Sequence, residues 1–273
     1  MIEEPYPELD EILVAIGEAG RRLSEIEASE GAAGNISVLV GWPIEVRRRF
    51  PLVTRIRLPL EVPELEGTTL VVSGSGRRLR EIINDPYGNL GCLTICAGGR
   101  EADLHTSPRH LFTHLTSELN SHLAVHQDQV RRGPLNFHAV IHAQPPHLVY
   151  LSHIPRYQDP RYLNTHILRW QPETIVNLPE GVGFIPFQVP SSPALMNATI
   201  ESLRQHRIAI WAKHGVIARS DTSVKRAADR IEYAETGARY EYMNLRNNEM
   251  GEGLTAEEIR AICATFSVQQ EWF

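Results

Sequence analysis

The chain has 273 residues, of which 42% are hydrophobic and 22% are charged, a composition typical of a globular protein with a sizeable core. Its formal net charge is −6 and its basic residues are scattered, so the sequence offers no basic stripe that would bind nucleic acid. No apolar run approaches the length of a membrane span, and the acidic N-terminus lacks the apolar region of a signal peptide, so neither a membrane nor a secreted location is expected.

The cysteine content favours a cytoplasmic protein. Cys92, Cys96 and Cys263 are too few and too dispersed for a disulfide framework, which is typical of a reducing compartment. Cys92 and Cys96 lie four residues apart on a predicted strand, a spacing poorly suited to gripping zinc. We therefore interpret them as buried thiols rather than metal ligands.

The first half of the chain alternates between helical and extended patterns. Residues 9–27 carry apolar side chains at helical spacing and predict an amphipathic helix. The following strands are predicted between turn residues: 34–41, 55–60, 68–74 and 91–97. The glycine-rich turn at 74–76 leads into a short predicted helix, which Asn84-Asp85-Pro86 should end.

The middle of the chain predicts a helix, a strand and then a second helix. The helix covers 115–132 and is expected to be capped at Thr116 or Ser117, since hydroxyl side chains accept from free amides at helix starts. The strand covers 136–143, and the proline pair 145–146 should begin the next helix because proline is tolerated in a first turn. Residues 154–172 are predicted as loop with broken helix.

The last third of the chain is mostly helical. Ser192-Pro193 should open a helix that runs to about residue 204, and 208–218 predicts a strand or tight hairpin. Residues 221–248 form the longest predicted helix. Thr255 and Glu258 make a capping box for the last one.

Helices and strands alternate loosely rather than in strict βαβ units. This order predicts an α/β protein with a mixed or largely antiparallel sheet covered by helices. The sequence contains no internal repeat, low-complexity tract or convincing linker. One domain spanning residues 1–273 is therefore predicted.

Two turn sequences have the chemistry to hold an anion. Gly74-Ser75-Gly76 follows a strand and could present backbone amides to a phosphate, although it lacks the P-loop lysine and the longer dinucleotide-binding spacing. Thr116-Ser117-Glu118 offers hydroxyls and free amides at a helix start. The alternatives are a plain turn and an ordinary helix cap with a favourably placed acid.

Histidines recur at a spacing of four residues. The pairs are His110/His114, His122/His126 and His138/His142. Glu118, His122 and His126 would share one helix face and could bind a metal. The sequence HLAVH nevertheless lacks the glutamate of an HExxH motif. Core or surface histidine is the alternative role for most of them.

Two later stretches present further candidates. In VIHAQPPH, His142 and Gln144 point the same way on an extended strand and so form a pair of positions suited to metal ligands. In WAKHGVIA, His214 precedes a glycine at a strand end, which leaves its imidazole accessible from a cleft. Lys213 follows an apolar run and could be a desolvated amine for Schiff-base chemistry, or else a surface lysine.

Taken in order along the chain, these motifs resemble one family. GNIS at 34–37, SGSG at 73–76, TSE at 116–118, the strand end at 142–144 and HG at 214–215 are similar to the class II aldolase/adducin family, and the likeness runs from about residue 30 to 268. The resemblance implies a three-layer α/β/α fold with a mainly antiparallel central sheet. It also implies a homotetramer with active sites near subunit interfaces.

The resemblance implies a reaction as well. It is the reversible, metal-dependent cleavage of a ketose 1-phosphate to dihydroxyacetone phosphate and an aldehyde. Rhamnulose 1-phosphate is the favoured substrate, and its aldehyde product would be L-lactaldehyde. The partner is thus a small phosphosugar, with neither nucleic acid nor membrane expected.

Site residues follow from the same resemblance, position by position. The phosphate-binding residues would be Asn35, Ser75, Gly76, Thr116 and Ser117. Glu118 would be the acid/base beside the metal, and Glu173 a second acid/base. His142 and His214 match two of the family's three histidine ligands, and Gln144 stands in place of the third.

The chain also departs from the family pattern. One member of the family carries Arg-Asn where this chain has Gly31-Ala32, so one amide on the phosphate side is missing. The amide oxygen of Gln144 is a harder and weaker zinc ligand than imidazole. Zinc is the expected metal, and manganese or cobalt are the alternatives.

Three functional hypotheses therefore stand. The leading one is a metal-dependent aldolase. The second is a non-catalytic, adducin-like binding or scaffold protein with a degraded metal site. The third retains aldolase chemistry but assigns it to a Schiff base on Lys213.

Overall fold

The computed structural model describes residues 1–247 and 250–273. Its α-helices are α1 (Leu9–Glu25), α2 (Pro86–Asn89), α3 (Leu119–Arg132), α4 (Pro146–Ser152), α5 (Pro160–Ile167), α6 (Pro172–Asn177), α7 (Pro193–Gln205), α8 (Val224–Arg246) and α9 (Ala256–Phe266). Its strands are β1 (Asn35–Val40), β2 (Leu52–Arg57), β3 (Thr69–Ser73), β4 (Leu90–Ile95), β5 (Glu101–Thr106), β6 (Phe137–Ala143), β7 (Gly183–Ile185), β8 (Ile208–Trp211) and β9 (Gly215–Ser220).

The strands form one sheet in the order β2-β5-β4-β3-β1-β6-β9-β8-β7. Every pairing is antiparallel except that of β7 with β8. The predicted mainly antiparallel α/β fold is thus confirmed. Strands β1 and β6 lie side by side at the centre, with Asn35 opposite His142, and this register brings two predicted site residues to the same end of the sheet.

Helices cover both faces of the sheet. On one face, α1, α4, α5 and α6 pack against α8, which itself packs on β6 and β9, and α9 packs against α6. On the other face, α3 and α7 pack together. Because side chains alternate along a strand, Val38 of β1 lies in the core beneath α1 and α8, whereas Leu39 lies in the core beneath α3. This arrangement is the expected three-layer α/β/α architecture.

Most predicted elements are present. The opening helix, the strands around 34–41, 68–74 and 91–97, and the helix at Pro146 are confirmed with small shifts at their ends. The segment 208–218 is a hairpin, and Ser192 and Thr255 cap α7 and α9 through their side chains. The longest helix begins at Val224, one residue after its cap, and its predicted end at residue 248 lies outside the described residues.

Three local expectations were wrong. The predicted strand 55–60 is displaced to Leu52–Arg57, and the strand β5 was missed. The short helix predicted after the glycine-rich turn is present as a 3₁₀ helix at Leu79–Glu81 and ends before Asn84-Asp85-Pro86, as predicted. Asp85 in addition caps α2, since its carboxylate accepts from the amide of Gly88. Helix α3 is not capped by Thr116 or Ser117. It begins after Glu118, and Oγ1 of Thr116 accepts instead from the amide of Glu118 at 3.3 Å.

Along the described parts of the chain, we find no helix that combines the length and apolar character needed to cross a membrane.

Candidate active site

A cavity of about 210 Å³ opens where the start of β1, the end of β6 and the β8–β9 turn meet the N-terminus of α3. Nine of the ten predicted site residues line it: Asn35, Ser75, Gly76, Thr116, Ser117, Glu118, His142, Gln144 and His214. Ala33 and Pro190 also line the cavity. Nothing in the chemistry of these two residues marks them in the sequence as part of a site.

One wall of the cavity carries a cluster of metal-binding groups. Glu118, His142 and His214 each offer one ligand atom, and these atoms lie within 4.8 Å of one another. Nε2 of His142 lies 3.7 Å from one carboxylate oxygen of Glu118, and Nε2 of His214 lies 3.6 Å from the other. These separations are too long for hydrogen bonds. They approach the roughly 3.4 Å expected between tetrahedral ligands that bind one cation at about 2.1 Å.

The hydrogen-bond partners of the imidazoles suit this donor set. Nδ1 of His142 donates to the carbonyl oxygen of Val216 at 2.9 Å, which leaves the lone pair of Nε2 facing Glu118. Nδ1 of His214 is buried and has no partner within the described structure. Two imidazoles and a carboxylate are ordinary ligands for zinc, manganese or cobalt. The residues present therefore fit a divalent cation.

The Glu118 carboxylate is almost fully buried but is held in its ionised form. Burial by itself would raise the pKa of this carboxyl. The interactions with His142 and His214, together with a 2.9 Å hydrogen bond from Nδ2 of Asn35, outweigh burial and lower the pKa. Burial and the neighbouring His142 lower the pKa of His214, so this imidazole is biased toward the neutral form that binds metals.

Aromatic packing orients both imidazoles. The fully buried ring of Trp211 stacks on His142 and on His214, with centroid separations of 4.7 and 5.2 Å. Its indole Nε1 donates to Oγ1 of Thr199 on α7 at 2.9 Å, which fixes the ring. The apolar sequence IAIW before the turn is thus a buried strand that ends in a support for the site.

The second wall brings the two anion-binding turns together. Gly74 forms a bridge with Leu115, the amide of Ser75 donates to the carbonyl of His114, and the amide of Thr116 donates to the carbonyl of Ser73. This pairing places the GSG turn directly beside the start of α3. Gly76 adopts the left-handed region with φ of +70° and turns the chain there.

Asn35 links the two walls. One amide hydrogen of Nδ2 bonds to Glu118, and Oδ1 faces Nε2 of His122. The amide group has a second hydrogen, which remains for a ligand in the cavity. Asn35 therefore has a contact with Glu118 that its expected phosphate role did not include.

Two other candidates lie outside this cavity. Glu173 is exposed in the first turn of α6, and its side chain does not line the cavity of its own chain. Lys213 is exposed in the β8–β9 turn, with φ of +64°, and is also absent from the lining. The structure thus brings together every predicted site residue except Glu173.

The other histidine candidates have different roles. His122 and His126 lie on the inward face of α3 and are fully buried. Within the described part of the chain, Glu118, His142 and His214 are the only group of three or more acidic, histidine or cysteine side chains close enough together to bind one metal ion. The interpretation of His122 and His126 as core histidines rather than metal ligands is thus supported. Cys92 is a buried free thiol, as expected, whereas Cys96 is partly exposed.

Comparison with known proteins gives a consistent result. The family described as Class II Aldolase and Adducin N-terminal domain matches residues 14–242. A rhamnulose-1-phosphate aldolase of Bacteroides thetaiotaomicron is 28% identical over 276 aligned residues, which cover 98% of each chain. A protein of the same name from Yersinia pseudotuberculosis is 26% identical over 88% of this chain and 87% of its own.

A solved structure has the same fold. The sugar-phosphate aldolase of Thermotoga maritima superposes with a TM-score of 0.75 at 25% identity, covering 90% of this chain and 99% of that one. The family match spans most of the chain and includes every residue that lines the cavity. The chain belongs to the class II aldolase/adducin family.

Proposed function

We propose that the protein is a metal-dependent aldolase that reversibly cleaves a ketose 1-phosphate to dihydroxyacetone phosphate and an aldehyde. One observation carries the proposal. A single cavity has hydrogen-bond donors from two turns on one wall and the Glu118, His142 and His214 cluster on the other. A ketose 1-phosphate matches this arrangement, because its phosphate would meet the hydrogen-bond donors and its neighbouring ketose oxygens would meet the metal-binding cluster.

His142 and His214 would hold the cation, with Glu118 and Gln144 beside it. Bound there, a divalent cation would supply Lewis-acid stabilisation of the negative charge that develops on the ketose oxygens. Zinc is the proposed metal, with manganese or cobalt as alternatives because the Gln144 oxygen is a harder ligand than imidazole. Gln144 lines the same cavity as His142, and both side chains lie close to Gly215, since a Cβ there would lie 2.7 Å from Cε1 of His142 and 3.2 Å from Cγ of Gln144.

The protein's own groups would manage the protons. Cleavage breaks the C3–C4 bond, leaves the electron pair on the C3 fragment and removes the proton of the C4 hydroxyl as the aldehyde forms. Protonation of C3 then completes dihydroxyacetone phosphate. We assign proton transfer at C3 to Glu118, which lines the cavity. In the condensation direction its ionised carboxylate would remove a C3 proton from dihydroxyacetone phosphate, and in cleavage the protonated carboxyl would return that proton to C3. A second acid/base would accept the proton of the C4 hydroxyl. General acid–base catalysis of this kind contributes roughly 10²–10⁴-fold.

The phosphate would be held by neutral donors. Asn35, Ser75, Gly76, Thr116 and Ser117 are the proposed contacts. No lysine or arginine is among the described residues that line the cavity, so backbone amides and hydroxyls must supply the binding. Binding of the phosphate would orient the reacting carbons against Glu118.

Glu173 is the proposed second acid/base. Because it is exposed and does not line the cavity of its own chain, this role requires that a neighbouring subunit present it. The proposal therefore includes the homotetramer with sites near subunit interfaces.

The three cysteines are free, in keeping with the proposed cytoplasmic location.

Rhamnulose 1-phosphate is the proposed substrate, with L-lactaldehyde as the aldehyde product. The names of the two relatives with near-complete coverage support this choice. The test is retro-aldol turnover coupled to reduction of released dihydroxyacetone phosphate, with rhamnulose, fuculose and ribulose 1-phosphates compared. We expect activity that chelation removes and added metal restores. The absence of metal-restorable activity with all three sugars would overturn the proposal.

The two alternatives make different predictions. A non-catalytic scaffold would bind substoichiometric metal and show no thermal shift with a phosphosugar. The Schiff-base route would give covalent trapping by borohydride in the presence of dihydroxyacetone phosphate, and Lys213→Met would abolish it. The exposure of Lys213 and its position outside the cavity disfavour that route.

A further inference from the structure

A set of buried polar side chains lies behind the cavity, between the inner face of α3 and strands β1 and β6. Its members are Ser37, His122, His126 and His138, each with no exposed surface. None of them lines the cavity. Three buried imidazoles side by side are costly to desolvate, so their hydrogen bonds require an explanation.

The four side chains form a continuous series of hydrogen bonds that ends at Asn35. Nδ1 of His138 lies 2.9 Å from Nδ1 of His126, and Nε2 of His126 lies 2.7 Å from Oγ of Ser37. The same Oγ lies 2.6 Å from Nδ1 of His122, whose Nε2 contacts Oδ1 of Asn35. Asn35 continues the series to Glu118.

All three imidazoles are neutral. Burial, with a smaller effect of the neighbouring His126, lowers the pKa of His122 to about 3. Burial also places the pKa of His126 well below its ordinary value. At the far end, burial and the guanidinium groups of Arg219 and Arg230 lower the pKa of His138 to about 3. Each ring therefore has one N–H donor and one bare acceptor nitrogen.

The Asn35 amide then fixes the direction of every bond. Its Nδ2 donates to a carboxylate oxygen of Glu118 at 2.9 Å, so Asn35 must face His122 with Oδ1. His122 must donate from Nε2 to that oxygen, which leaves its Nδ1 to accept the single hydroxyl hydrogen of Ser37.

The same logic continues to the far end. Since Ser37 has given its hydrogen to His122, its oxygen must accept from Nε2 of His126. Nδ1 of His126 is then bare and accepts from Nδ1 of His138. The remaining nitrogen, Nε2 of His138, should be a bare acceptor, and it is indeed buried with no partner within the described structure.

We propose that Ser37, His122, His126 and His138 form a one-way hydrogen-bond chain that holds the Asn35 amide and, through it, the Glu118 carboxylate in their working orientation. These four residues are the positioning chain. None of them lines the cavity, and the series reaches the site through the contact of His122 with Asn35.

The positioning chain explains why Asn35 does not rotate its amide. A flipped amide would set its oxygen against the carboxylate of Glu118 and its NH₂ group against the donor Nε2 of His122. Both contacts are repulsive, and each would leave buried groups unpaired. The chain thereby keeps one Nδ2 hydrogen on Glu118 and aims the other into the cavity. Only the expected effects on kcat rest on the proposed function; the hydrogen-bond directions and the metal affinity do not.

The hydrogen positions provide a direct test. Neutron diffraction from deuterium-exchanged crystals of the full chain should show deuterium on Nε2 of His122, Nε2 of His126 and Nδ1 of His138. The hydroxyl deuterium of Ser37 should point to His122. Opposite directions, or deuterium on both nitrogens of any of these rings, would overturn the proposal.

Variants of His126 separate positioning from packing. His126→Gln has an amide that can still donate to Oγ of Ser37, whereas His126→Leu fills similar space with no donor. We expect His126→Leu to lower kcat and weaken metal binding by about 10–100-fold, with little change in KM, and His126→Gln to recover most of this loss. His105→Leu, which changes a buried histidine on β5, should leave both quantities unchanged.

The outcomes are distinguishable. Equal impairment of His126→Gln and His126→Leu would indicate a packing role and overturn the proposal, as would wild-type kcat and metal affinity in His126→Leu. If His126→Leu does not fold, Ser37→Ala breaks the same chain with the loss of one oxygen atom and should show the same effects. If the wild-type protein has no aldolase activity, the proposed function fails, while hydrogen positions and metal affinity still decide the proposal about the chain.

Discussion

A Cβ atom on Gly215 would lie 2.7 Å from Cε1 of His142. The same atom would lie 2.5 Å from the carbonyl oxygen of Ala143, a backbone atom that cannot move aside. Gly215 thus allows β9 to approach the end of β6 closely and leaves room for the metal-binding imidazole. The glycine of the HG motif is therefore a packing requirement of the site.

Gly215→Ala should displace His142 from Glu118. A shift of about 1 Å in a positioned group is enough to lower turnover about 10²-fold, so we expect that loss together with weaker metal binding. Steady-state kinetics and metal titration measure the two effects. Gly133→Ala is the matched control, since a Cβ there meets nothing within 4 Å. Wild-type metal affinity in Gly215→Ala would contradict this account of the close approach.

Gln144→His should strengthen zinc binding. Residue 144 lines the cavity beside His142, and imidazole is a better zinc ligand than an amide oxygen. We expect zinc affinity to rise at least about tenfold, equivalent to 1.4 kcal/mol, in competition with a chromogenic chelator. Gln144→Leu removes the native amide and so measures its contribution to zinc binding. This variant should bind zinc more weakly than the wild type. Unchanged affinity in Gln144→His would show that residue 144 does not reach the cation.

Ala32→Asn should improve phosphosugar binding. Ala32 lines the cavity at a position where one family member carries asparagine, so the substitution adds an amide donor on the phosphate side. A hydrogen bond to a charged group contributes about 1.5 kcal/mol at the low end, which corresponds to a decrease in KM of about tenfold. Ala32→Leu adds similar bulk without a donor and should not lower KM. A decrease with leucine as large as that with asparagine would exclude the hydrogen-bond explanation.

The buried histidines predict acid sensitivity of the fold. Because their pKa values are lowered to about 3 at His122 and His138, the unfolded chain binds more protons than the folded chain between about pH 6.5 and pH 3. The free energy of unfolding should therefore decrease, and the protein become less stable, as the pH decreases through this window, by up to about 1.4 kcal/mol per pH unit for each histidine.

Chemical denaturation at several pH values measures this slope. His126→Gln removes one of the buried imidazoles and should give a shallower dependence of stability on pH below 6.5. His153→Gln changes an exposed histidine and should retain the wild-type slope. Identical slopes in all three proteins would mean that the buried rings do not control acid unfolding.

The family resemblance implied most of the cavity residues, and the motifs that carry it lie at the ends of strongly patterned strands. Asn35 and His142 begin and end neighbouring strands, so the register of β1 with β6 makes them adjacent. Strand β5 was missed because its sequence EADLHT is polar and half-exposed, without the apolar alternation that marks a strand. The cap of α3 was misassigned because the hydroxyl of Thr116 bonds to the amide of Glu118, ahead of the helix.

The positioning chain could not be predicted from local pattern. Ser37 meets its two histidines across 85 and 89 residues of sequence, and Asn35 meets Glu118 across 83. A histidine spacing of four on a helix shows only that two rings share a face. Whether that face meets solvent, a metal or a serine on another strand depends on tertiary packing. Here α3 is turned inward, so both rings are enclosed.

The central claim is that His142 and His214, with Glu118 beside them, form a binding site for a divalent cation. Elemental analysis of purified wild-type protein and of His142→Ala tests it most directly, with both proteins dialysed against the same trace of mixed divalent metals. We predict close to one divalent metal ion per chain in the wild type and a large loss in His142→Ala. Equal metal content in the two proteins, or no bound metal in the wild type, would contradict the account.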